Sequence, residues 1–371
     1  MTRRGSMSPD EYVRGIGIAV VEAGLECADA PSPAVRGAGA AWRTEYVERI
    51  GDTLRPKADG ALVVDLFAGC GGLALGFEAN GFRTIGFEMD EDCCATYERN
   101  LHGECHQVYL TPEVDLPEAD VVIGGPPCQP FSVGGRQLGL RDARDGFPTF
   151  ISAVRRLRPK VWMFENVRGL LYRSHSYFDE IVVELESLGY QVDYKVLNAV
   201  RYDVPQNRER LVVVGHRGGF AIPPPRSRVI TAGDALGFLA LTVPGNAKFL
   251  TPSMDAYVAR YERASKCVRP RDLRLDMPAR TVTCRNLGGA TGDMQRVRLP
   301  DGRRRRLTVR EGARLQSFPD WFEFIGSESS QFQQIGNAVP PMLAYHLAGR
   351  VKTYLEGEVA TDQEPRQLSL V

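Results

Sequence analysis

Short β-branched runs alternate with helical stretches between residues 61 and 216, and this alternation constrains the fold more than any other feature. The runs "ALVVDLF", "FRTIGFE", "DVVIGG", "KVWMFENV", "YQVDYKVL" and "RLVVVGH" read as strands, and amphipathic helical patterns separate most of them. Strands that alternate with helices build βαβ units and a mostly parallel sheet with helices on both faces. The sequence therefore predicts a doubly wound α/β domain.

The alternation breaks near residue 217, which divides the chain. A length of 371 residues exceeds what one core needs, so a large domain and a smaller one are expected. The predicted divisions are an N-terminal extension (1–58), the large domain (59–216), a small loop-rich domain (217–330), a segment that returns to the large domain (331–358) and a disordered tail (359–371). Candidate helices in the extension cover residues 10–24 and 41–54, and the extension carries no recognisable chemistry.

Composition and cysteine usage exclude several classes of protein. With 43% hydrophobic and 25% charged residues the chain is globular, and none of its apolar runs reaches the roughly 18–20 residues of a membrane span. Its eight cysteines are scattered, with Cys93 and Cys94 as the one adjacent pair, which predicts neither a disulfide framework nor a metal site. A cytoplasmic protein without a secretory signal or a membrane contact is expected.

The net charge of zero hides a division of charge along the chain. Residues 201–310 contain 22 Lys and Arg against 9 Asp and Glu, a net charge of +13. A basic segment of this size indicates a polyanionic partner, although solvated surface arginines produce the same pattern. Charge alone leaves both interpretations open.

Motifs at the ends of two predicted strands indicate a nucleotide-like ligand. In "DLFAGCGG", Gly69, Gly71 and Gly72 allow a tight turn from a strand into the N-terminus of a helix. In "GFEMD", Glu88 is placed where a carboxylate accepts hydrogen bonds from ribose hydroxyls. Asp120, just before the next strand, is a candidate acceptor for an adenine amine, with a plain loop acid as the alternative.

The stretch "GGPPCQPFS" places one thiol directly after the predicted strand "DVVI". Pro126, Pro127 and Pro130 restrict the backbone around Cys128, which favours a held reactive group over a small core residue. The thiol therefore becomes a candidate nucleophile.

Polar groups near two further strands complete a reactive set. The strand "KVWMFENV" ends in Glu165 and Asn166, and "VPQNRERL" supplies Arg208 and Arg210. A thiol, a carboxylic group and fork-shaped cationic donors together suit attack on a heterocycle and its polarisation.

These motifs stand in the order of a known enzyme family. From about residue 63 to residue 347 the chain resembles the C5-cytosine DNA methyltransferases, through "DLFAGCGG", "GFEMD", "GGPPCQPFS", "ENVRGLL", "PQNRERL", "PARTVTC", "RRLTVREGARLQSFPD" and "QIGNAVPP". The resemblance implies a Rossmann-like methyltransferase domain and a target-recognition domain within 217–330. It also implies transfer of a methyl group from S-adenosylmethionine to carbon 5 of a flipped-out cytosine in a specific double-stranded DNA sequence. A monomer that acts beside a cognate restriction endonuclease is expected.

The resemblance further implies roles for individual residues. Cys128 adds to carbon 6 of cytosine, Glu165 contacts N3 and the exocyclic amine, and Arg210 binds O2. Arg208 and Asn166 complete the catalytic set. Cofactor contacts are expected at Asp65, Phe67, Ala68, Gly69, Cys70, Gly71, Gly72, Leu73, Glu88, Met89, Asp120, Pro126, Asn337, Ala338 and Val339. DNA contacts are expected at Ser132, Arg136, Arg144, Arg280, Arg303, Arg304 and Arg305.

Other functions stay open on the sequence. A transfer-RNA cytosine methyltransferase of the same superfamily would share nearly every catalytic element, but the Cys-Phe-Thr tripeptide of that branch is absent. An inactive DNA-binding regulator with this fold would not need the intact Cys128, Glu165 and Arg208-to-Arg210 set. The first turn is not G-x-G-x-x-G and Asp-Pro-Pro-Tyr is absent, which argues against a Rossmann oxidoreductase and an adenine-N6 methyltransferase.

Overall fold

One mixed seven-stranded sheet forms the centre of the protein, in the strand order β3-β2-β1-β4-β5-β7-β6. The computed structural model describes residues 44–127, 145–264, 272–289 and 292–357. The strands are β1 (Leu62–Leu66), β2 (Arg83–Glu88), β3 (Cys105–Gln107), β4 (Val121–Gly124), β5 (Val161–Val167), β6 (Gln191–Asn198) and β7 (Glu209–His216). β7 is antiparallel to β5 and β6, and the other pairs are parallel. The predicted doubly wound fold is confirmed.

Helices cover both faces of this sheet, with α2, α3 and α12 on one face and α4 and α6 on the other. The helices of the described ranges are α1 (Glu45–Thr53), α2 (Gly72–Ala79), α3 (Glu91–Asn100), α4 (Phe147–Leu157), α5 (Gly169–Arg173), α6 (His175–Ser187), α7 (Ala232–Leu236), α8 (Pro252–Ala264), α9 (Cys284–Gly288), α10 (Val309–Leu315), α11 (Glu328–Asn337) and α12 (Pro341–Leu355). A separate hairpin pairs β8 (Arg296–Arg298) with β9 (Arg304–Arg306). Within the described ranges, no helix has the length and apolar character needed to cross a membrane.

Successive residues of the central strands face two different cores, as the two-residue period of a strand requires. Val63 packs in the core that contains α2, α3 and α12, whereas Val64 packs in the core that contains α4 and α6. Both side chains are fully buried. Burial on both faces explains why the strands read as continuous apolar runs rather than alternating ones.

The N-terminal extension contributes a helix to the main core. Tyr46 and Ile50 of α1 are buried there, and the Trp321 indole donates a hydrogen bond to the Gly51 carbonyl at 2.9 Å. The second helix predicted for the extension is therefore present and joined to the large domain. The first, predicted at residues 10–24, lies outside the described residues.

Among the described residues after β7, one small cluster packs apart from the main core. Leu250, Val258 and Met294 bury one another beside α8. Leu236 and Phe318, from the same region, belong to the main core instead. The main core therefore continues past residue 217, and the separate part of the molecule centres on α8.

Candidate active site

The carboxyl ends of the parallel strands bring the sequence motifs to one edge of the sheet. The glycine loop follows β1, Glu88 ends β2, and Asn166 lies one residue before the end of β5. Because β7 is antiparallel, Arg210 near its start lies opposite Val167 at the end of β5. Motifs far apart in sequence therefore meet at this edge.

Positive φ angles shape the turn from β1 to α2. Phe67, Gly69 and Gly71 have φ angles of 58°, 54° and 84°. This left-handed region is strained for residues with a Cβ atom. A Cβ atom on Gly71 would also lie 2.4 Å from the Leu101 side chain, so both the angle and the space require glycine. Phe67 carries this strain beside the candidate ligand site, as functional residues often do.

Glu88 ties the glycine loop to the end of β2. Its Oε2 accepts a hydrogen bond from the Gly69 amide at 2.9 Å, and its Oε1 accepts from the Met89 and Asp90 amides at 2.8 and 3.0 Å. A carboxylate offers about four acceptor positions, which leaves capacity for a ligand hydroxyl. Met89 is 62% exposed beside it, so its side chain is available to pack on a ligand.

Asp65, near the end of β1, has both carboxylate oxygens buried without a hydrogen-bond partner among the described residues. Burial, assisted by the negative charge of Glu88, raises its pKa to about 8. The nearby Cys70 thiol is also buried, which raises its pKa to about 12. At neutral pH the Cys70 thiol is therefore uncharged, and the Asp65 carboxyl group is largely protonated.

The C-terminal motif packs against the glycine loop. A Cβ atom on Gly72, at the start of α2, would lie 2.5 Å from the Val339 carbonyl oxygen and 3.2 Å from the Ala338 side chain. The Cys70 thiol donates to the Gln334 carbonyl at 3.8 Å. Asn337 is exposed at the end of α11. The structure thus brings residues 337–339 beside the loop after β1.

The prediction for Asp120 is wrong. Asp120 precedes β4, its amide donates to the Leu62 carbonyl at the start of β1, and its carboxylate pairs with Lys160 at 2.8 Å. These partners lie at the amino-terminal edge of the sheet, opposite the glycine loop. A residue that enters a parallel strand cannot reach the edge at which the strand ends, so Asp120 cannot contact the same ligand as Glu88.

The short strand β3 supplies site residues that the sequence analysis missed. Gln107 lies opposite Glu88 in register, and the Val108 amide donates to the Glu88 carbonyl at 2.8 Å. The Gln107 amide group donates to the Met89 carbonyl at 3.5 Å, and Tyr109 is 59% exposed. A three-residue strand has no readable alternation. The available signal was topological, because the chain after α3 must return to the sheet.

Two neighbours hold the proline segment that leads into the candidate nucleophile. The Asn166 side-chain amide donates to the Pro126 carbonyl at 2.9 Å. The Gly146 amide donates to the Pro127 carbonyl at 3.1 Å, and a Cβ atom on Gly146 would lie 2.8 Å from the Phe67 ring. The segment is thus held between β5 and the glycine loop. Four predicted site residues lie outside the described residues: Cys128, Ser132, Arg136 and Arg144.

Glu165 and Arg210 form an ion pair between β5 and β7. The Arg210 Nε atom lies 2.8 Å from the Glu165 Oε1 atom, and the two side chains are only 13% and 12% exposed. Partial burial strengthens such a pair because little water screens it. The pair presents a hydrogen-bond acceptor and several donors next to each other, the combination that can hold the amine and carbonyl groups of one heterocyclic ring.

Arg208 does not belong to the groups that can polarise a substrate, which corrects its predicted place in the catalytic set. Its side chain is 1% exposed, and the guanidinium donates to the carbonyls of Val282, Gly336 and Ala338 at 2.8, 3.3 and 3.1 Å. Burial, followed by the charge of Arg210, lowers its pKa to about 9. Arg208 is a positioning residue that joins three segments of the chain.

The arginine run 303–306 does not present a uniform phosphate-binding surface. Arg305 is fully buried and donates to both carboxylate oxygens of Glu311 at 2.7 and 2.8 Å, so its predicted role as a DNA contact is wrong. Successive residues of a strand face opposite sides, so the three arginines of β9 cannot all face solvent. The three other predicted DNA-contacting arginines within the described ranges also form ion pairs: Arg280 with Asp293, Arg303 with Asp301, and Arg304 with Asp255 and Asp272.

Comparison with known sequences gives one consistent family. A family model described as C-5 cytosine-specific DNA methylase matches residues 62–234 and 251–353. The type II methyltransferase M.AplI of Arthrospira platensis is 56% identical over 339 residues, covering 88% of this chain and 98% of the relative. The type II methyltransferase M1.HphI of Haemophilus parahaemolyticus is 36% identical over 325 residues, covering 78% of this chain and 86% of the relative.

Solved structures share the fold. A DNA modification methyltransferase encoded within an E. coli prophage has a TM-score of 0.59 at 22% identity, over 80% of this chain and 100% of that one. The Entamoeba histolytica methyltransferase EhMeth has a TM-score of 0.62 at 18% identity, over 80% of this chain and 99% of that one. At these identities the likeness concerns the fold alone. The family model and the sequence relatives go further, and the chain belongs to the C-5 cytosine-specific DNA methylase family.

Proposed function

We propose that this chain transfers a methyl group from S-adenosylmethionine to carbon 5 of a flipped-out cytosine in a specific duplex sequence. DNA cytosine-5 methyltransferase activity follows from the family; the cofactor, the residues and their roles are the proposal. One observation carries it. The Glu165–Arg210 ion pair and the Asn166–Pro126 hydrogen bond join the segment leading to Cys128 to the edge that holds the glycine loop.

The residues around the glycine loop fit S-adenosylmethionine. Glu88 would accept hydrogen bonds from the ribose hydroxyls, and the exposed side chain of Met89 would pack on the adenine. Asp65 offers buried oxygen atoms that have no partner, which suits a polar or cationic group of the ligand. Because Asp120 lies at the opposite edge, Gln107 at the end of β3 and the two residues that follow it take its proposed place beside the adenine amine. When bound, this cofactor supplies a methyl group on a positively charged sulfur.

Cys128 starts the proposed chemistry, since carbon 5 of cytosine is a poor nucleophile until a group adds across the 5,6 double bond. The thiolate forms a bond to carbon 6, and the electron pair of the double bond moves toward carbon 5. Glu165 at N3 and the exocyclic amine, with Arg210 at O2, stabilises the charge that develops on the ring. After methylation, the proton on carbon 5 leaves and the sulfur–carbon bond breaks, which returns the thiolate.

The target base must leave the helix for this chemistry, at a cost of a few kcal/mol. The product carries its methyl group in the major groove, where proteins read base edges. We therefore include in the proposal a partner restriction endonuclease, whose recognition of the same sequence the methyl group would block. Both sequence relatives described above are named type II methyltransferases, which supports a partner endonuclease for this chain.

A covalent trap tests the proposal. Duplex DNA with 5-fluorocytosine at the target position should give a complex that survives denaturation, because fluorine replaces the proton that must leave before the thiol is released. The target is found first by bisulfite sequencing of DNA from a methylation-free host that expresses the chain. The adduct should require S-adenosylmethionine and map by peptide mass to Cys128.

Cys128→Ser should abolish the adduct, since a hydroxyl is scarcely ionised, whereas the matched control Cys284→Ser should retain it. An adduct on another cysteine, or methylation by Cys128→Ser, would refute the mechanism.

A further inference from the structure

A pocket of about 370 Å³ lies between α8, α9 and the chain before β8, away from the candidate active site. The residues that matter in its wall are Ser253, Tyr257, Tyr261, Arg285 and Gly292. The pocket belongs to the region around α8 that packs apart from the main core. None of the roles derived above uses it.

Two tyrosines form an aromatic wall in this pocket. Tyr257 and Tyr261 lie one helical turn apart on α8, with ring centroids 6.4 Å apart and ring planes inclined by 21°. Tyr257 is 45% exposed. A Cβ atom on Gly292 would lie 3.3 Å from the Tyr257 ring and 3.5 Å from the Tyr261 ring, so glycine lets the chain approach both rings. Such a wall offers flat surface and hydroxyl groups to a planar ligand.

Arg285 is exposed in the same pocket, and its guanidinium forms no ion pair or hydrogen bond with any described residue. This distinguishes it from Arg280 and Arg303, which are paired with Asp293 and Asp301. A free guanidinium has five N–H donors arranged in a rigid fork. The pocket thus combines an exposed guanidinium with an aromatic wall, and the Asp293 carboxylate in the same wall is paired with Arg280.

The position of Arg285 is fixed relative to the active site. Thr283 and Asn286 form a capping box at the start of α9. A Cβ atom on Gly336 would lie 2.0 Å from the Cys284 amide nitrogen, so α9 abuts α11 just before residues 337–339. Arg208 donates to the carbonyl of Val282, immediately before the capping box. Arg285 is therefore held on a rigid element that is connected directly to the catalytic edge.

We propose that the pocket of Tyr257 and Arg285 contacts a guanine edge in the major groove of the target duplex and thereby sets part of the sequence specificity. This inference rests on the proposed function of the chain. The fork of an arginine matches the O6 and N7 atoms of guanine, and this pair is the commonest specific contact between proteins and DNA. Tyr257 packs against the neighbouring base or sugar and restricts the directions in which the guanidinium can point.

The test compares the sequences that variants methylate. Wild type, Arg285→Ala, Arg285→Lys and Arg155→Ala are expressed in a methylation-free host, and bisulfite sequencing scores every site that departs from the target by one base pair. Arg155, on α4, forms an exposed ion pair with Glu184 and serves as the matched control. Both Arg285 variants should accept other bases at one fixed position, with discrimination there reduced about 5- to 150-fold. Arg155→Ala should keep the wild-type preference.

Two results would overturn the inference. Arg285→Ala could keep the full wild-type preference, or it could weaken all sites equally while Arg285→Lys restores them, which would mark a phosphate contact. If a variant no longer turns over, the ratio of its binding affinities for the target duplex and for single-mismatch duplexes measures the same discrimination. A folded wild type that methylates no cytosine would instead refute the proposed function itself, so the two failures are distinguishable.

Discussion

Glu88 combines a structural task with a binding task. Its carboxylate holds the Gly69 amide of the loop and the Met89 amide after β2, and it retains an acceptor position for a ribose hydroxyl. We expect Glu88→Gln to weaken S-adenosylmethionine binding by roughly 1.5–3 kcal/mol, because hydrogen bonds to a charged acceptor are lost. Calorimetry on the folded variant measures this. Glu91→Gln, an exposed acid in the first turn of α3, is the control and should bind as wild type. Equal affinities for both variants would contradict the assignment.

Asp65 makes the stability of the protein depend on pH. Its pKa of about 8 exceeds the ordinary value of 3.8, so between these values the folded state holds a proton that the unfolded state has released. The contribution of Asp65 to the free energy of unfolding therefore falls as the pH rises through this window.

Asp65→Asn removes this titration. The free energy of unfolding of the variant relative to wild type should rise from about pH 5 to about pH 8, by at most about 1.4 kcal/mol per pH unit. Urea denaturation at both pH values measures the difference. A difference that stays constant across this range would show that Asp65 does not titrate there.

At the scale of elements, the hairpin of β8 and β9 holds two arginines in opposite environments, Arg305 within β9 and Arg303 in the connection that precedes it. Arg305 points inward to Glu311, whereas Arg303 is 58% exposed beside Asp301. We expect Arg305→Gln to lower the free energy of unfolding by about 3–5 kcal/mol, because it leaves a buried carboxylate without its partner. The matched variant Arg303→Gln should cost at most about 1 kcal/mol, since water screens its pair. Denaturant unfolding of both variants checks this, and similar losses would argue against the inward placement of Arg305.

At the scale of the whole molecule, Arg208 connects the loop before β7 to the segments at Val282 and Gly336. Arg208→Met would leave the carbonyls of Val282 and Gly336 without a donor, at about 1–3 kcal/mol each, whereas the Ala338 carbonyl keeps its hydrogen bond from Gln316. We expect a loss of roughly 2 kcal/mol or more in the free energy of unfolding, with faster proteolysis near residues 279–289. The control Arg226→Gln removes an exposed partner of Asp203 and should change little. Identical proteolysis of the two variants would contradict the joining role of Arg208.

The sequence by itself determined the doubly wound fold, the glycine turn and the family. Apolar runs, glycines that must adopt positive φ and prolines before a thiol are local signals, and Gly71 and Glu88 are readable because their neighbours along the chain specify them. The same local reasoning placed α1 as a helix. It could not show that Ile50 of α1 is buried in the core of the large domain.

Tertiary structure alone decided which side and which edge each residue reaches. Asp120 and Glu88 are both acids beside strands, yet one precedes its strand and the other ends its strand, so they lie at opposite edges of the sheet. Arg303 and Arg305 look alike in a basic run, but Arg303 lies in the connection before β9 and is exposed, whereas Arg305 lies within β9 and pairs with Glu311 in the core. Strand direction and the pairing partners of a side chain depend on contacts between distant segments. They therefore cannot be inferred from the identity of a single residue.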